Sequence, residues 1–263
     1  MKKTLIALAV AASAVVSGSA MAAWIVNGSG GTLELGGTIT PKGKSIPWEV
    51  FVGNGVSDLD GELEVGQTEV VIPVMKNIPV MGIRTTDGSR SFRGDTGLSP
   101  QIDFSNALDL EQALNGYTPF SLEVKGEGAQ KLGVLTGSLF VGGEFSIAKP
   151  GSSLRHLLIA KESGDAFFGG LPSNAMGTSS NPYLLLAAID ADFVDHFDPQ
   201  DSQKAKDGDY NKPSRFDDSG ATYSAYYGSG FEKDSKLKVT FDQPVSSTAI
   251  VWKASMPITI SYQ

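Results

Sequence analysis

The chain has 263 residues, no cysteine, two histidines and a formal charge of −8 at neutral pH. An acidic chain without a basic run excludes nucleic acid and anionic membrane surfaces as partners. Its 31 glycines, 9% aromatic and 19% charged residues suit short strands and turns better than helices, and 41% apolar residues exclude a disordered chain.

The N-terminus reads as an export signal. Met1-Lys2-Lys3 is a positive lead, Leu5 to Val16 is an apolar run, and Ala20-Met21-Ala22 is an A-x-A cleavage site. The run is shorter than the roughly 20 residues a membrane-spanning helix needs. Cleavage is expected after Ala22, with Ala23 the alternative, so that residues 1–22 are the signal peptide. Export leads to oxidising space, where disulfides are common. Without cysteine, stability must come from burial and backbone pairing.

Gly31 to Ile39 reads GTLELGGTI, with Leu33, Leu35, Gly37 and Ile39 on one face. It follows a flexible Asn27-Gly28-Ser29-Gly30 leader, precedes Pro41, and has no hairpin partner close in sequence. Taken alone, it could also be an ordinary first strand. Alternating runs then recur at Trp48–Val52, Thr68–Val74, Pro79–Thr85, Phe120–Val124, Lys131–Val141, Leu237–Phe241 and Ile250–Tyr262. Asn54-Gly55, Asp60-Gly61, Asp87-Gly88 and Asn115-Gly116 punctuate them as turns. This pattern predicts an all-β sandwich.

The middle interrupts the alternation. Ser105–Leu114, capped by Ser105, is expected to be a short helix, as are Ser152–Lys161 and Pro182–His196. Residues from about 150 to 218 read as a long, partly helical insertion in the sandwich rather than a separate domain.

Reactive constellations are missing from the sequence. His156 and His196 belong to no H-E-x-x-H pattern, no G-x-S-x-G elbow is present, and the glycine pairs lack a strand–turn–helix frame. The chain therefore reads as no enzyme, with no metal site and no cofactor. Residues 190–218 hold nine aspartates against four basic residues. Asp207 to Asn211 partly matches a calcium loop, but Lys212 replaces the glycine that the loop needs, leaving a solvated acidic face as the reading. Of the insertion's rings, Phe167, Phe168 and Tyr210 are candidates for stacking on a glycan.

The last residues alternate again, with Pro257 at the start and Ile258, Ile260 and Tyr262 on one face of a strand that runs to the chain end. The signal MKKTLIALAVAASA, the GTLELGGTI segment, the Trp48-Glu49-Val50 strand, Phe168-Gly169-Gly170-Leu171, Val239 to Val245 and the ending Trp252 to Ile260 carry a family likeness. Together they resemble the cysteine-free, polymeric-adhesin subunits (kappa class) of the chaperone–usher fimbriae of enterotoxigenic enteric bacteria. The insertion, notably Asn181 to Arg215, departs from that pattern.

The resemblance implies an incomplete immunoglobulin-like sandwich, completed by donor-strand exchange. It divides the chain into a signal peptide (1–22), a donor-strand extension (23–39) and a pilin domain (40–263) carrying the insertion. Leu33, Leu35, Gly37 and Ile39 would fill a neighbour's groove, and Ile258, Ile260 and Tyr262 would line the edge that meets a periplasmic chaperone. The implied partners are neighbouring subunits, that chaperone, an outer-membrane usher and a host glycan receptor, with the protein exported through the periplasm to a surface fimbria. The competing expectation is a monomeric secreted carbohydrate-binding sandwich.

Overall fold

The computed structural model describes residues 45–86, 90–205 and 210–263. The strands in chain order are β1 (Trp48–Val52), β2 (Glu69–Pro73), β3 (Ile78–Thr85), β4 (Phe92–Arg93), β5 (Pro100–Asp103), β6 (Tyr117–Lys125), β7 (Lys131–Lys149) and β8 (Ser152–Leu158). Helix α1 (Pro182–Ile189) follows, then β9 (Gln203–Lys204), β10 (Asn211–Lys212), β11 (Thr222–Phe231), β12 (Lys236–Phe241), β13 (Lys253–Ala254) and β14 (Thr259–Tyr262). The fold is an all-β open sandwich, as expected, and suits an immunoglobulin-like arrangement.

The main path runs β1-β3-β11-β7-β12-β2, and β14 pairs with β5 as a separate two-stranded sheet. The 19-residue β7 joins the layers. Its first half pairs with β6 and β12, its second with β8 and β11. At the centre of the core, Trp48 meets Phe92, Phe167 and Phe216, while its Nε1 donates to the Leu98 carbonyl at 2.6 Å.

Local chemistry explains the turns. Asn115 and Gly116, at φ 52° and 89°, form the tight link between Leu114 and Tyr117 expected of an Asn-Gly pair. Other expectations are corrected. Ser105 and Asn106 take left-handed φ of 52° and 60°, which stops a helix there, and only Leu110–Gln112 makes a 3₁₀ turn, capped by the Asp109 side chain. Ser152–Leu158 is strand β8, because the Gly151 turn returns it antiparallel along β7 and ladder pairing outweighs helix propensity. The Pro182–His196 helix stops at Ile189: Asp190 is extended, and its carboxylate caps a separate 3₁₀ turn, Ala191–Phe193. The final run Ile250–Tyr262 pairs only at β13 and β14.

The expected insertion is woven into the fold. β8 extends the sheet, and Phe167, Leu171 and Phe216 belong to the main core. Leu186, Ile189, Phe193 and Phe197 form a second cluster on Phe140 and Tyr226.

Candidate functional site

A groove of about 1170 Å³ opens beside the main core. Its floor includes Val70, Ile72, Phe120, Leu122, Leu135 and Phe231. Val56 and Leu59 stand on one wall, Trp252, Met256 and Ile258 on the other. The walls come from stretches 53–68 and 242–258, where only the two-residue β13 forms a ladder. Backbone bonds from Gly66 to Val245 and from Val245 to Gln67, both 3.0 Å, tie the walls together at one point.

Among the described residues, part of the neighbouring strands' core face lies uncovered. On β1, Trp48, Val50 and Val52 share the core-facing side by strand alternation. Trp48 is buried, yet Val50 and Val52 are 42% and 54% exposed. From Trp252 to Ile260 every second residue is half-buried: Trp252, Ala254, Met256, Ile258 and Ile260. One edge of this segment bonds β6 through β13 and β5 through β14, with Ile260 opposite Ile102 and Tyr262 opposite Pro100. An apolar floor between backbone edges accepts an extended strand, whose main chain bonds the edges while alternate side chains enter the groove.

The expected site residues fall differently. Leu33, Leu35, Gly37 and Ile39 lie outside the described residues. Ile258 lines the groove and Ile260 packs on the core beside it, while Tyr262 stays partly exposed at the chain end. Two stacking candidates are corrected. Phe167 is wholly buried at φ 61°, stacked on Tyr227 at 5.5 Å, so it has no face for a ligand. Tyr210 is buried too, its hydroxyl donating to Glu144 Oε1 at 3.3 Å and Lys204 Nζ standing 4.0 Å from its ring centre. Phe168 is 37% exposed.

The sequence reading missed the groove floor, whose named residues come from four strands, β2, β6, β7 and β11, far apart in the chain. It also missed Glu144, buried where β7, β8 and β11 meet, with Oε2 unpartnered. Burial raises the pKa of its carboxyl, against the pull of Arg155 and the two tyrosines Tyr226 and Tyr210. Among the described residues no group of acidic or histidine side chains is placed to hold a metal ion.

Comparison with known proteins adds a whole-chain likeness. The sequence model of a family described as K88 fimbrial, major and minor subunit, matches residues 1–263. K88 fimbrial protein AD of Escherichia coli is 28% identical over 290 residues, and K88 fimbrial protein AC 28% over 294. The F41 fimbrial protein of the same species is 30% identical over 285 residues. In each case both chains are covered completely.

Proposed function

Because the chain belongs to the K88-type family of major and minor fimbrial subunits, we propose that its groove is the seat of a strand donated by a second subunit. The protein is a structural subunit of surface fimbriae and not an enzyme. In this reading Leu33, Leu35, Gly37 and Ile39 of one copy fill the groove of the next, and residues 23–39 stabilise the neighbour. A periplasmic chaperone holds the groove first, along the edge formed by Ile258, Ile260 and Tyr262, and an outer-membrane usher exchanges it for the donor. The observation that carries the proposal is the 1170 Å³ groove, floored by apolar core residues and bordered by the half-exposed Val52. The whole-chain match to a family of fimbrial subunits disfavours a monomeric carbohydrate-binding sandwich.

The test deletes residues 23–39 and co-expresses the shortened chain with the chaperone. A soluble chaperone complex that forms no fibres is the expected result. Unfolding of the subunit within that complex would make the segment an internal strand and overturn the proposal. The reading includes adhesion of the assembled fibre to host glycans, with Phe168 the exposed member of the three rings considered from sequence.

A further inference from the structure

We propose that Asn54-Gly55, on the wall of the groove, is a site of spontaneous covalent modification: the Asn54 side chain cyclises onto the Gly55 amide and reopens as an aspartyl or isoaspartyl residue, and a strand seated in the groove shields it. The shielding rests on the strand-donation reading; the reactivity of the pair does not.

An asparagine is thermolabile, and a glycine after it exposes the attacking nitrogen because no Cβ stands in the way. Two Asn-Gly pairs lie among the described residues, and the fold treats them oppositely. Asn115-Gly116 is locked. Its backbone is held at φ 52° and 89°. The Gly116 amide donates to the Gly177 carbonyl at 2.7 Å, and the Asn115 amide to the Met176 carbonyl at 2.9 Å. A Cβ built on Gly116 would fall 2.5 Å from Phe140 Cε2, so the turn has no room to rearrange.

Asn54-Gly55 is free to react. β1 ends at Val52, and the Gly53 amide is pinned to the Val80 carbonyl at 2.8 Å. Past that anchor, neither Asn54 nor Gly55 makes a hydrogen bond among the described residues. Both are exposed, and the turn expected from sequence does not form there. A Cβ built on Gly55 would meet nothing within 4 Å. Such a segment samples the bent conformations that bring the Gly55 nitrogen onto Asn54 Cγ without first breaking structure. Both residues nonetheless line the groove, so the reactive pair sits where an incoming strand must pass.

The chemistry needs only water. The Gly55 nitrogen gives its proton to solvent base and attacks Asn54 Cγ. A nitrogen–Cγ bond closes a cyclic imide, the Cγ–Nδ2 bond breaks, and the side-chain nitrogen takes up a proton and leaves as ammonia. Water then adds to one of the two ring carbonyls. Opening at Cγ gives an aspartyl residue; opening at the main-chain carbonyl gives an isoaspartyl residue, whose backbone is longer by a methylene. Either product places a new carboxylate on a wall that already carries Asp60. A strand entering the groove must strip water from that charge. The isoaspartyl form also throws the backbone groups beyond position 54 off strand spacing. A subunit left empty therefore ages out of assembly, while a filled one is protected.

The test incubates full-length mature subunit, diluted to stay monomeric, and assembled fimbriae side by side at mildly alkaline pH, and follows both pairs by peptide mapping with mass spectrometry. In the monomer Asn54 is expected to convert at least about tenfold faster than Asn115, whose glycine must first leave its hydrogen-bond partner. In fimbriae the Asn54 rate should fall toward that of Asn115. Gly55→Ala fits the open space around residue 55, so it should keep the melting temperature, suppress conversion at Asn54 and preserve the ability of aged monomer to form fibres. Conversion at Asn54 no faster than at Asn115, or undiminished in Gly55→Ala, overturns the site. Aged wild-type monomer that assembles as well as aged Gly55→Ala overturns its consequence for assembly. Equal Asn54 rates in monomer and fimbriae overturn the shielding. Failure of the strand-donation reading shows separately, as fibres formed by the chain that lacks residues 23–39.

Discussion

The hydroxyl of Tyr210 donates to Glu144 Oε1 at 3.3 Å, joining the insertion to the middle of β7 across 66 residues of chain. Glu144 also neighbours Tyr226 across β11 and feels the charges of Arg155 on β8 and Lys204 on β9. Burial raises its pKa above the usual carboxyl value, so the folded protein favours the protonated form. The contribution of this group to stability is therefore fully present below the unfolded-state pKa and lost as pH rises through the raised folded-state value. Glu144→Gln removes the proton equilibrium while keeping the shape. The wild type should lose thermal stability relative to this variant as pH climbs from about 4 toward 7, the region above the ordinary glutamate pKa. Melting curves of chaperone-bound subunit at several pH values measure it; a constant gap would mean that folding leaves the Glu144 pKa unshifted.

Groove occupancy makes a second prediction. Val52 is more than half exposed in the empty groove, so Val52→Glu should change the stability of the isolated fold by within roughly 0.5 kcal/mol. Once a donor strand covers it, the same charge is buried and costs several kcal/mol. Normal yield of chaperone complex together with few or short fibres in electron micrographs is the expected outcome.

Donor register gives a third. On the strand-donation proposal, Leu35→Asp places a charge in the groove and stops polymerisation, whereas Glu34→Lys, on the other face of an alternating donor, is expected to be nearly silent. Fibre length distributions compare the two directly, and equal damage would argue against an alternating donor.

Phe167 and Phe168 are adjacent yet should behave oppositely. Truncating the fully buried Phe167 to alanine removes its contacts with Trp48 and Tyr227 and should cost about 3–5 kcal/mol, read as a lower melting temperature. Phe168→Ala, at an exposed ring, should cost far less.

Much of the sheet was legible in the sequence because one-sided burial leaves a period of two. Trp48–Val52, Phe120–Val124 and Leu237–Phe241 became strands where alternation placed them. β11 left no such trace. Thr222–Phe231 is buried on both faces over most of its length, so serines, glycines and an alanine sit among aromatic rings with no charged residue and no period of two. β8 was misread because Leu154, Leu157 and Leu158 match helical spacing, and only the pairing with β7 decides otherwise. The groove follows from a relation between distant strands, which local periodicity does not encode. The same holds for Phe167, whose ring was assigned to the surface from its loop context but is turned inward by a left-handed backbone.

The unbroken course of β7 has a mechanical consequence. At about 3.3 Å per residue its 19 residues give a contour of roughly 60 Å. One stretch supplies Leu135 to the groove floor; farther along, the same strand meets β8 and β11. Tension entering at the groove therefore travels along a single covalent cable, spread over antiparallel ladders on both flanks. Those ladders are loaded together in shear, many bonds at a time, instead of unzipping one by one. For a cysteine-free subunit that has no cross-link to hold it under drag, load sharing along this strand is the route by which a filament resists flow.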